Sequence, residues 1–367
     1  MTLSADLSRA LQDAPETLPH SLFGLPDQPS HERVLLAADE ATGLKAILAV
    51  HSTARGPAFG GCRFWSYPHE LAGLQDALRL AQGMSLKNAL ANLPFGGGKA
   101  VILKPAGTFD REALFAAFGR AIDSLGGAYI TAEDVGTTTA DMRVVRRQTR
   151  HVSGIPRDDG GFGGDPSPMT ALGVFVSIEA GVKAHLGRSL DGVTVALQGL
   201  GAVGWHLAEH LRQAGAKLVV ADVNAERVQR AVDQLGAKAV SVDTILAQPC
   251  EVLAPCALGA VLNAGSIPAL QTKIVAGAAN NQLATAADGD ALAARGILYL
   301  PDYLVNAGGI VSVAREHRGE GSVAAVKAEV EQIRDRVLEL LERIKASGNT
   351  PAREADAWAR SRLVRPV

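Results

Sequence analysis

Strand and helix signals alternate along the second half of this chain. A glycine-rich turn there joins an apolar strand to an amphipathic helix, and a turn-rich segment near residue 160 sets this half apart from a mixed first half. These observations predict an α/β protein: a mixed α/β domain followed by a doubly wound, Rossmann-type parallel sheet, with a cleft between them. At 367 residues the chain exceeds one ordinary core, so two domains are expected. With 47% hydrophobic and 20% charged residues, long disorder is excluded.

Residues 1–30 are polar and proline-dotted and read as an irregular arm. ERVLLAAD and LKAILAVHS, around the turn signal Ala41-Thr42-Gly43, read as two strands. A third strand surrounds Gly61-Cys62-Arg63-Phe64-Trp65. Leu71, Leu74, Ala77, Leu78 and Ala81 recur at helical spacing and predict a helix ending near Gly83. LPFGGGKAVIL reads as a glycine loop feeding a strand. Residues 111–125 form a helix with Leu114, Phe115, Phe118, Ile122 and Leu125 on one face. The turn-rich run Gly160-Gly161-Phe162-Gly163-Gly164-Asp165-Pro166-Ser167-Pro168 is the expected hinge.

Beyond the hinge, VTVALQ and KLVVAD read as strands and 203–214 and 225–235 as helices, with short strands following at KAV, EVLAP, KIVAGA and GILYL. A single amphipathic helix over roughly 323–346 carries Val326, Val330, Ile333, Val337, Leu341 and Ile344 and is expected to return to the first domain. The first domain then spans 1–160, completed by about 335–367, and the second spans 161–334.

A net charge of −2 gives no electrostatic reason to hold nucleic acid or an anionic membrane. The densest basic cluster, Arg143, Arg146, Arg147 and Arg150, has the spacing of a solvated helix face. No apolar run is read as reaching the roughly 18–20 residues of a membrane span, and the N-terminus lacks a basic-then-apolar signal pattern, so a cytoplasmic location is expected. Cys62, Cys250 and Cys256 have neither disulfide-framework nor metal-type spacing and read as reduced core thiols. No metal site is expected.

Gly199-Leu200-Gly201-Ala202-Val203-Gly204 fits G-x-G-x-x-G. Its context gives it weight: a strand precedes it, a helix bearing Val203, Leu207 and Leu211 on one face follows, and the next strand ends in Asp222. Gly199 permits the tight turn, Gly201 lets the backbone approach a pyrophosphate, and Gly204 lets helix and strand pack closely. The helix N-terminus offers free N–H groups to the phosphates. Asp222 is placed to accept ribose hydroxyls and would repel a 2′-phosphate, which favours NAD. Arg227, the nearest cation, lies a full helical turn away.

Two lysines stand in apolar or glycine-rich settings: Lys87 in Gly83-Met84-Ser85-Leu86-Lys87-Asn88 and Lys99 in Phe95-Gly96-Gly97-Gly98-Lys99. A buried lysine near a second cation loses its proton readily and can act as a base; two surface lysines at a helix end and a loop are the plainer alternative. In Ile130-Thr131-Ala132-Glu133-Asp134-Val135-Gly136, Asp134 could balance Lys99, or the paired acids could cap a helix or line a solvated turn.

GPAFGGCRFW, GMSLKNALANLPFGGGKAVI, YITAEDVG, GLGAVG, APCALGA, AGAANNQL and PDYLVNAGG occur in the order found in the glutamate/leucine/phenylalanine/valine dehydrogenase family. The chain resembles that family over roughly residues 30–360, most of all its leucine dehydrogenase branch. The resemblance implies that Lys99 is the general base, that Lys87 holds the substrate α-carboxylate with Gly60 and Gly61 beside it, and that Asp134 assists proton transfer. It places Asn281 and Asn306 near the substrate, and Asn280 and Thr170 near the cofactor. The implied chemistry is oxidative deamination: Cα gives hydride to NAD, Lys99 activates the water that attacks the resulting iminium carbon, and a 2-oxo acid and ammonia are released.

Glutamate-acting relatives carry a lysine where this chain has Phe59, so an apolar side chain is expected, with Met84, Ala132, Ile310 and Val313 lining the rest of its pocket. Phe59 exceeds the leucine typical of leucine-acting members, which either shrinks the pocket toward valine or offers a face to phenylalanine. Branched-chain substrates rank first and aromatic ones second. The chain stops before the C-terminal tail of the octameric members and has a longer N-terminal arm, so a homo-oligomer, at least a dimer, is expected. Rival readings are weaker. A 2-hydroxy-acid dehydrogenase needs an acid histidine, and none of the nine sits in such a motif; a non-catalytic NAD sensor should have lost Lys87, Lys99 or Asp134.

Overall fold

The computed structural model describes residues 31–155, 163–257 and 259–363. The N-terminal arm and residues 160–162 of the expected hinge lie outside the described residues.

β1 (Arg33–Asp39) and β2 (Leu44–Ser52) form an antiparallel hairpin. β3 (Ala58–Phe59), β4 (Cys62–Trp65), β5 (Gly96–Leu103) and β6 (Tyr129–Ile130) complete a mixed sheet in the order β1-β2-β5-β3-β6, with β4 also paired to β5. The alternation along β2 builds the layers. Ile47 and Ala49 pack with Ala77, Leu78 and Ala81 of α1 (Glu70–Leu90). Leu44, Ala46, Leu48 and Val50 face α2 (Arg111–Asp123) and α3 (Thr139–Arg146) through Leu114, Phe115, Phe118 and Met142.

Two expectations change here, both at glycines. α1 does not end at Gly83 but runs on to Leu90, burying Leu86, Ala89 and Leu90. The GGGK segment is not a loop but the start of β5, paired to β2 from Gly97 through Ile102. One close approach explains both: a Cβ on Gly97 would lie 2.0 Å from the Ser85 backbone nitrogen. The strand needs glycine because the helix continues over it. Lys87 and Lys99 are thereby placed on two rigid, touching elements.

The second sheet is wholly parallel: β7 (Thr194–Gln198), β8 (Lys217–Ala221), β9 (Lys238–Ala239), β10 (Val252–Pro255), β11 (Ile274–Val275) and β12 (Leu298–Tyr299), ordered β12-β11-β10-β7-β8-β9. This is the doubly wound order, reversing between β7 and β10, where ligands of such sheets bind. Its helices are α4 (Ser167–Leu186), α5 (Ala202–Gln213), α6 (Ala225–Leu235), α7 (Ala286–Ala294), α8 (Asp302–Val305) and α9 (Gly308–His317).

α4 corrects the expectation about apolar runs. Its 20 residues, at mean hydropathy 1.2, are long and apolar enough to cross a membrane, but more than half of that window is buried inside the protein. The helix expected over 323–346 is two helices, α10 (Val323–Glu331) and α11 (Ile333–Ser347). At the junction the Gln332 N–H donates to the Glu329 carbonyl and the Gln332 carbonyl accepts from the Asp335 N–H, the tighter three-residue spacing. α11 packs on α4, and the return to α1 is made by α12 (Pro351–Ser361). Cys62 is buried, while Cys250 and Cys256 are half-buried, and all three are unpaired.

Candidate active site

Lys87 on α1, Lys99 on β5 and Asp134 just beyond β6 are brought together, as the sequence predicts; the two lysines are buried and Asp134 is mostly so. The surface alternative for the lysines is therefore excluded: Lys87 is 9% exposed and Lys99 3%. The fold gives the two ammonium groups different partners. Lys99 Nζ lies 2.9 Å from Asp134 Oδ2. Lys87 Nζ donates to the Asn280 side-chain oxygen at 3.0 Å and has no carboxylate within ion-pair distance among the described residues.

The energetics follow from those partners. Burial lowers Lys87 to about 8, with Lys99 adding to the effect and Asp302 opposing it. For Asp134, burial favours the neutral acid, but Lys99 and Arg63 outweigh it and hold the carboxyl down at about 2. The pairing separates the two lysines: Lys99 has a carboxylate at contact, and burial without a contacting anion is the condition of Lys87.

Around Lys87, the second half of the chain supplies an amide cluster. Asn306 Nδ2 donates to the same Asn280 oxygen at 3.0 Å and to the Ala278 carbonyl at 3.0 Å. The Asn281 N–H donates to Asp302 Oδ2 at 2.9 Å, with the Asn281 backbone in the left-handed region at φ +51°. Gly60 and Gly61 lie where no side chain fits: a Cβ on Gly61 would sit 2.6 Å from the Glu133 carbonyl oxygen and 2.9 Å from Asp134 Cβ. Phe59, Ala132, Ile310 and Val313 share one apolar cluster against which Met84 packs. The Phe59 ring is wholly covered, edge-on to Phe95 (centroids 5.1 Å apart) and His317 (5.7 Å).

The glycine turn lies at the reversal of strand order, Gly199 against Cys256 and Ala257 beyond β10. Gly199 takes φ +97°. A Cβ on Gly204 would lie 2.0 Å from the Gly199 carbonyl oxygen, whereas one on Gly201 meets nothing within 4 Å. α5 begins at Gly201 with no side-chain cap, leaving its first N–H groups to open space on the Gly201 side. An open, uncapped helix N-terminus behind a tight glycine turn fits a dinucleotide pyrophosphate. Leu200, Ala202 and Val203 complete this turn, and Thr170, whose hydroxyl donates to the Pro166 carbonyl, stands beside Gly309. Asp222 is already used by the turn, accepting Leu200 N–H at 2.6 Å and Asn224 N–H at 2.8 Å. Arg227 is not a turn removed from it: its guanidinium reaches within 3.9 Å of Asp222.

Sequence reasoning missed Arg63, Asp76, Asn88 and Asp302. Arg63, Asn88 and Asp302 lie inside the quoted GGCRFW, GMSLKNALANLPFGGGKAVI and PDYLVNAGG motifs, the signal that could have found them. Asp76 needed the fold; Asn88 donates to the Phe59 and Gly96 carbonyls, and Asp302 faces Lys87 from the second half.

Two sequence profiles cover the chain: "Glu/Leu/Phe/Val dehydrogenase, dimerisation domain" over residues 31–151, and "Glutamate/Leucine/Phenylalanine/Valine dehydrogenase" over 160–226 and 221–355. Leucine dehydrogenase of Bacillus subtilis (strain 168) is 46% identical over 345 residues, covering 94% of each chain. Valine dehydrogenase of Streptomyces virginiae is 46% identical over 348 residues, covering 94% of this chain and 96% of its own. The crystal structure of L-tryptophan dehydrogenase from Nostoc punctiforme superposes with a TM-score of 0.75 at 40% identity, covering 91% of this chain and 96% of that one. The chain belongs to the glutamate/leucine/phenylalanine/valine dehydrogenase family, the amino-acid dehydrogenases.

Proposed function

We propose that this enzyme is a cytoplasmic, NAD-dependent dehydrogenase that oxidatively deaminates an apolar L-amino acid, branched-chain by preference, to its 2-oxo acid and ammonia, and runs the reverse reductive amination. The observation that carries the reading is the unequal treatment of two neighbouring buried lysines. Lys99 is matched by Asp134, while among the described residues Lys87 is hydrogen-bonded to the Asn280 amide and to no carboxylate. A buried cation lacking an anion at contact is a receptor for one, and the substrate α-carboxylate is that anion.

Lys87 binds the α-carboxylate and so fixes the direction of Cα, with Gly60 and Gly61 leaving the room beside it. Asn281 and Asn306 position the amino group and the neighbouring cofactor ring. Lys99 Nζ takes the proton of the water that attacks the substrate Cα, and Asp134 holds that nitrogen in place. NAD, when bound, supplies the hydride acceptor. Gly199 to Gly204, Asp222, Asn280 and Thr170 would hold it. The carboxylate of Asp222 beside the turn favours NAD, although Arg227 reduces its repulsion of a 2′-phosphate. Burial of the three charged groups keeps bulk water from the reacting carbon and strengthens each interaction there.

Residues 1–160 with about 335–367 serve the substrate and the assembly of a homo-oligomer, and 161–334 serve the cofactor. The apolar cluster of Met84, Ala132, Ile310 and Val313 over Phe59 suits leucine, isoleucine or valine. The Phe59–Phe95–His317 ring cluster favours an aromatic substrate as the second reading. The test is NADH formation, followed by absorbance at alkaline pH, with NAD and a panel of L-leucine, L-valine, L-isoleucine, L-phenylalanine, L-tryptophan and L-glutamate. Branched-chain amino acids should give the highest kcat/KM, and Lys99→Ala should abolish the signal. No amino-acid-dependent NADH with any member of the panel would overturn the reading.

A further inference from the structure

Arg63 belongs to none of the roles above, yet it touches the same atom as Lys99. Its Nε lies 3.2 Å from Asp134 Oδ2, the oxygen that Lys99 Nζ approaches at 2.9 Å. Its other end is anchored: Nη1 lies 2.8 Å from Asp76 Oδ2, which also accepts the Tyr67 hydroxyl at 2.5 Å. Arg63 stands on β4 in parallel register with β5, opposite Val101, two residues beyond Lys99. Its side chain is 19% exposed, and those of Asp134 and Asp76 are 16% and 23%. The guanidinium is therefore clamped between two mostly buried carboxylates, with little freedom to swing away.

We propose that Arg63 is a positioning residue that divides the Asp134 carboxylate with Lys99, and so frees Lys99 to give up its proton. This deepens the amino-acid dehydrogenase reading and rests on it. The reasoning is electrostatic. Arginine stays charged at every working pH. A permanent cation on the shared oxygen weakens the hold of Asp134 on the Lys99 ammonium and also repels that ammonium directly. Both effects disfavour the protonated amine, and the general base must be neutral to accept a proton. The other groups around the pair do not substitute for Arg63. Lys87 on α1 is a cation but is bonded to Asn280. Burial pushes the Cys62 thiol on β4 and the Tyr129 phenol on β6 well up, so both are neutral. Asp76 and Tyr67 lie behind Arg63 and hold it.

The test is Arg63→Gln, with Arg63→Lys as the rescue and Asp76→Asn as release of the distal anchor. In Arg63→Gln, Asp134 pairs with Lys99 alone, so the acid limb of log kcat/KM against pH should move up by about one unit. The activity lost below that limb, about tenfold, should return above it. KM for the amino acid should change less than twofold at high pH, because Lys87 is untouched. Arg63→Lys should restore most of the limb position, and Asp76→Asn should move it part of the way. A role limited to folding would instead lower activity equally at every pH. A readout independent of turnover is the pH dependence of Lys99 methylation by formaldehyde and borohydride, read by mass spectrometry; its midpoint should rise in Arg63→Gln by the same amount. An unmoved midpoint, or a pH-independent loss that Arg63→Lys does not repair, would overturn the proposal. Absence of turnover in the unmodified enzyme would instead count against the dehydrogenase reading, and the methylation midpoint would still decide the role of Arg63.

Discussion

Replacing Lys87 by methionine should stabilise this protein while disabling it. Lys87 is buried, and burial brings it from 10.5 to about 8. At ~1.4 kcal/mol for each pH unit between folded and unfolded values, keeping the ammonium charged inside the fold costs about 3 kcal/mol at neutral pH. Methionine matches the lysine stem in shape and carries no charge. The hydrogen bond to Asn280 is lost, but its oxygen stays satisfied because Asn306 Nδ2 also donates to it at 3.0 Å. A net gain of about 2–3 kcal/mol at pH 7 is expected. The sign fixes the pH dependence. Between about 8 and 10.5 the unfolded chain binds the proton that the folded chain has released. The wild type therefore gains stability with rising pH, and its deficit against Lys87→Met closes over that window. Urea unfolding at fixed protein concentration at pH 7.0, 8.5 and 10.0 measures it, alongside a KM for the amino acid raised at least 100-fold. A variant no more stable than wild type at pH 7, or a gap that stays constant with pH, would refute the reasoning.

Asn280→Asp should give Lys87 an internal anion at about the present 3.0 Å and so compete with the substrate carboxylate; KM for the amino acid should rise at least tenfold with the thermal midpoint held or raised. Gly201→Ala places its methyl where nothing lies within 4 Å, so the fold should tolerate it while cofactor affinity, measured by fluorescence titration with NADH, falls at least tenfold. Gly204→Ala instead drives a methyl to 2.0 Å from the Gly199 carbonyl oxygen and should cost about 1–3 kcal/mol of stability in the same urea assay. Phe59→Leu thins the packing beneath the side-chain pocket and should shift the kcat/KM ratio from valine toward leucine and phenylalanine by 10-fold or more, within the ~1–3 kcal/mol that such pockets discriminate. An unchanged substrate ranking would remove Phe59 from the specificity argument.

The parts of this fold legible in the sequence are those that periodicity and turn chemistry specify locally. The period-2 pattern of β2, the helical faces of α1 and α2, and the strand–turn–helix around Gly199 all follow from neighbouring residues. Two of the misreadings share one physical cause. A glycine announces that the backbone is free or that something comes close, and it does not say which. Gly83 resembled a stop and lies inside a helix; Gly96, Gly97 and Gly98 resembled a loop and form a strand pressed against Ser85. The break at Gln332 carries no glycine or proline at all, so no local signal marks it. The contacts of Arg63 were not legible from its motif, because its partners, Asp76 and Asp134, lie 13 and 71 residues away and meet it only once β4 joins β5.

The burial of the two lysines was easier to read than the partner each one meets. A lysine in a glycine-rich motif signals burial, and burial alone would depress both lysines alike. What separates them is the partner each meets. Asp134, a turn residue beyond β6, reaches Lys99; Asn280, from beyond β11 on the other sheet, reaches Lys87. Exchanging these partners would leave the composition of the cleft unchanged and reverse the two roles. Lys99 would then be the unmatched cation that draws a carboxylate, and Lys87 the amine held by an acid. The partner of each amine is thus set by which loop of which sheet arrives at it. That is a property of the topology, with two sheets facing one cleft, and the lysine motifs by themselves do not carry it.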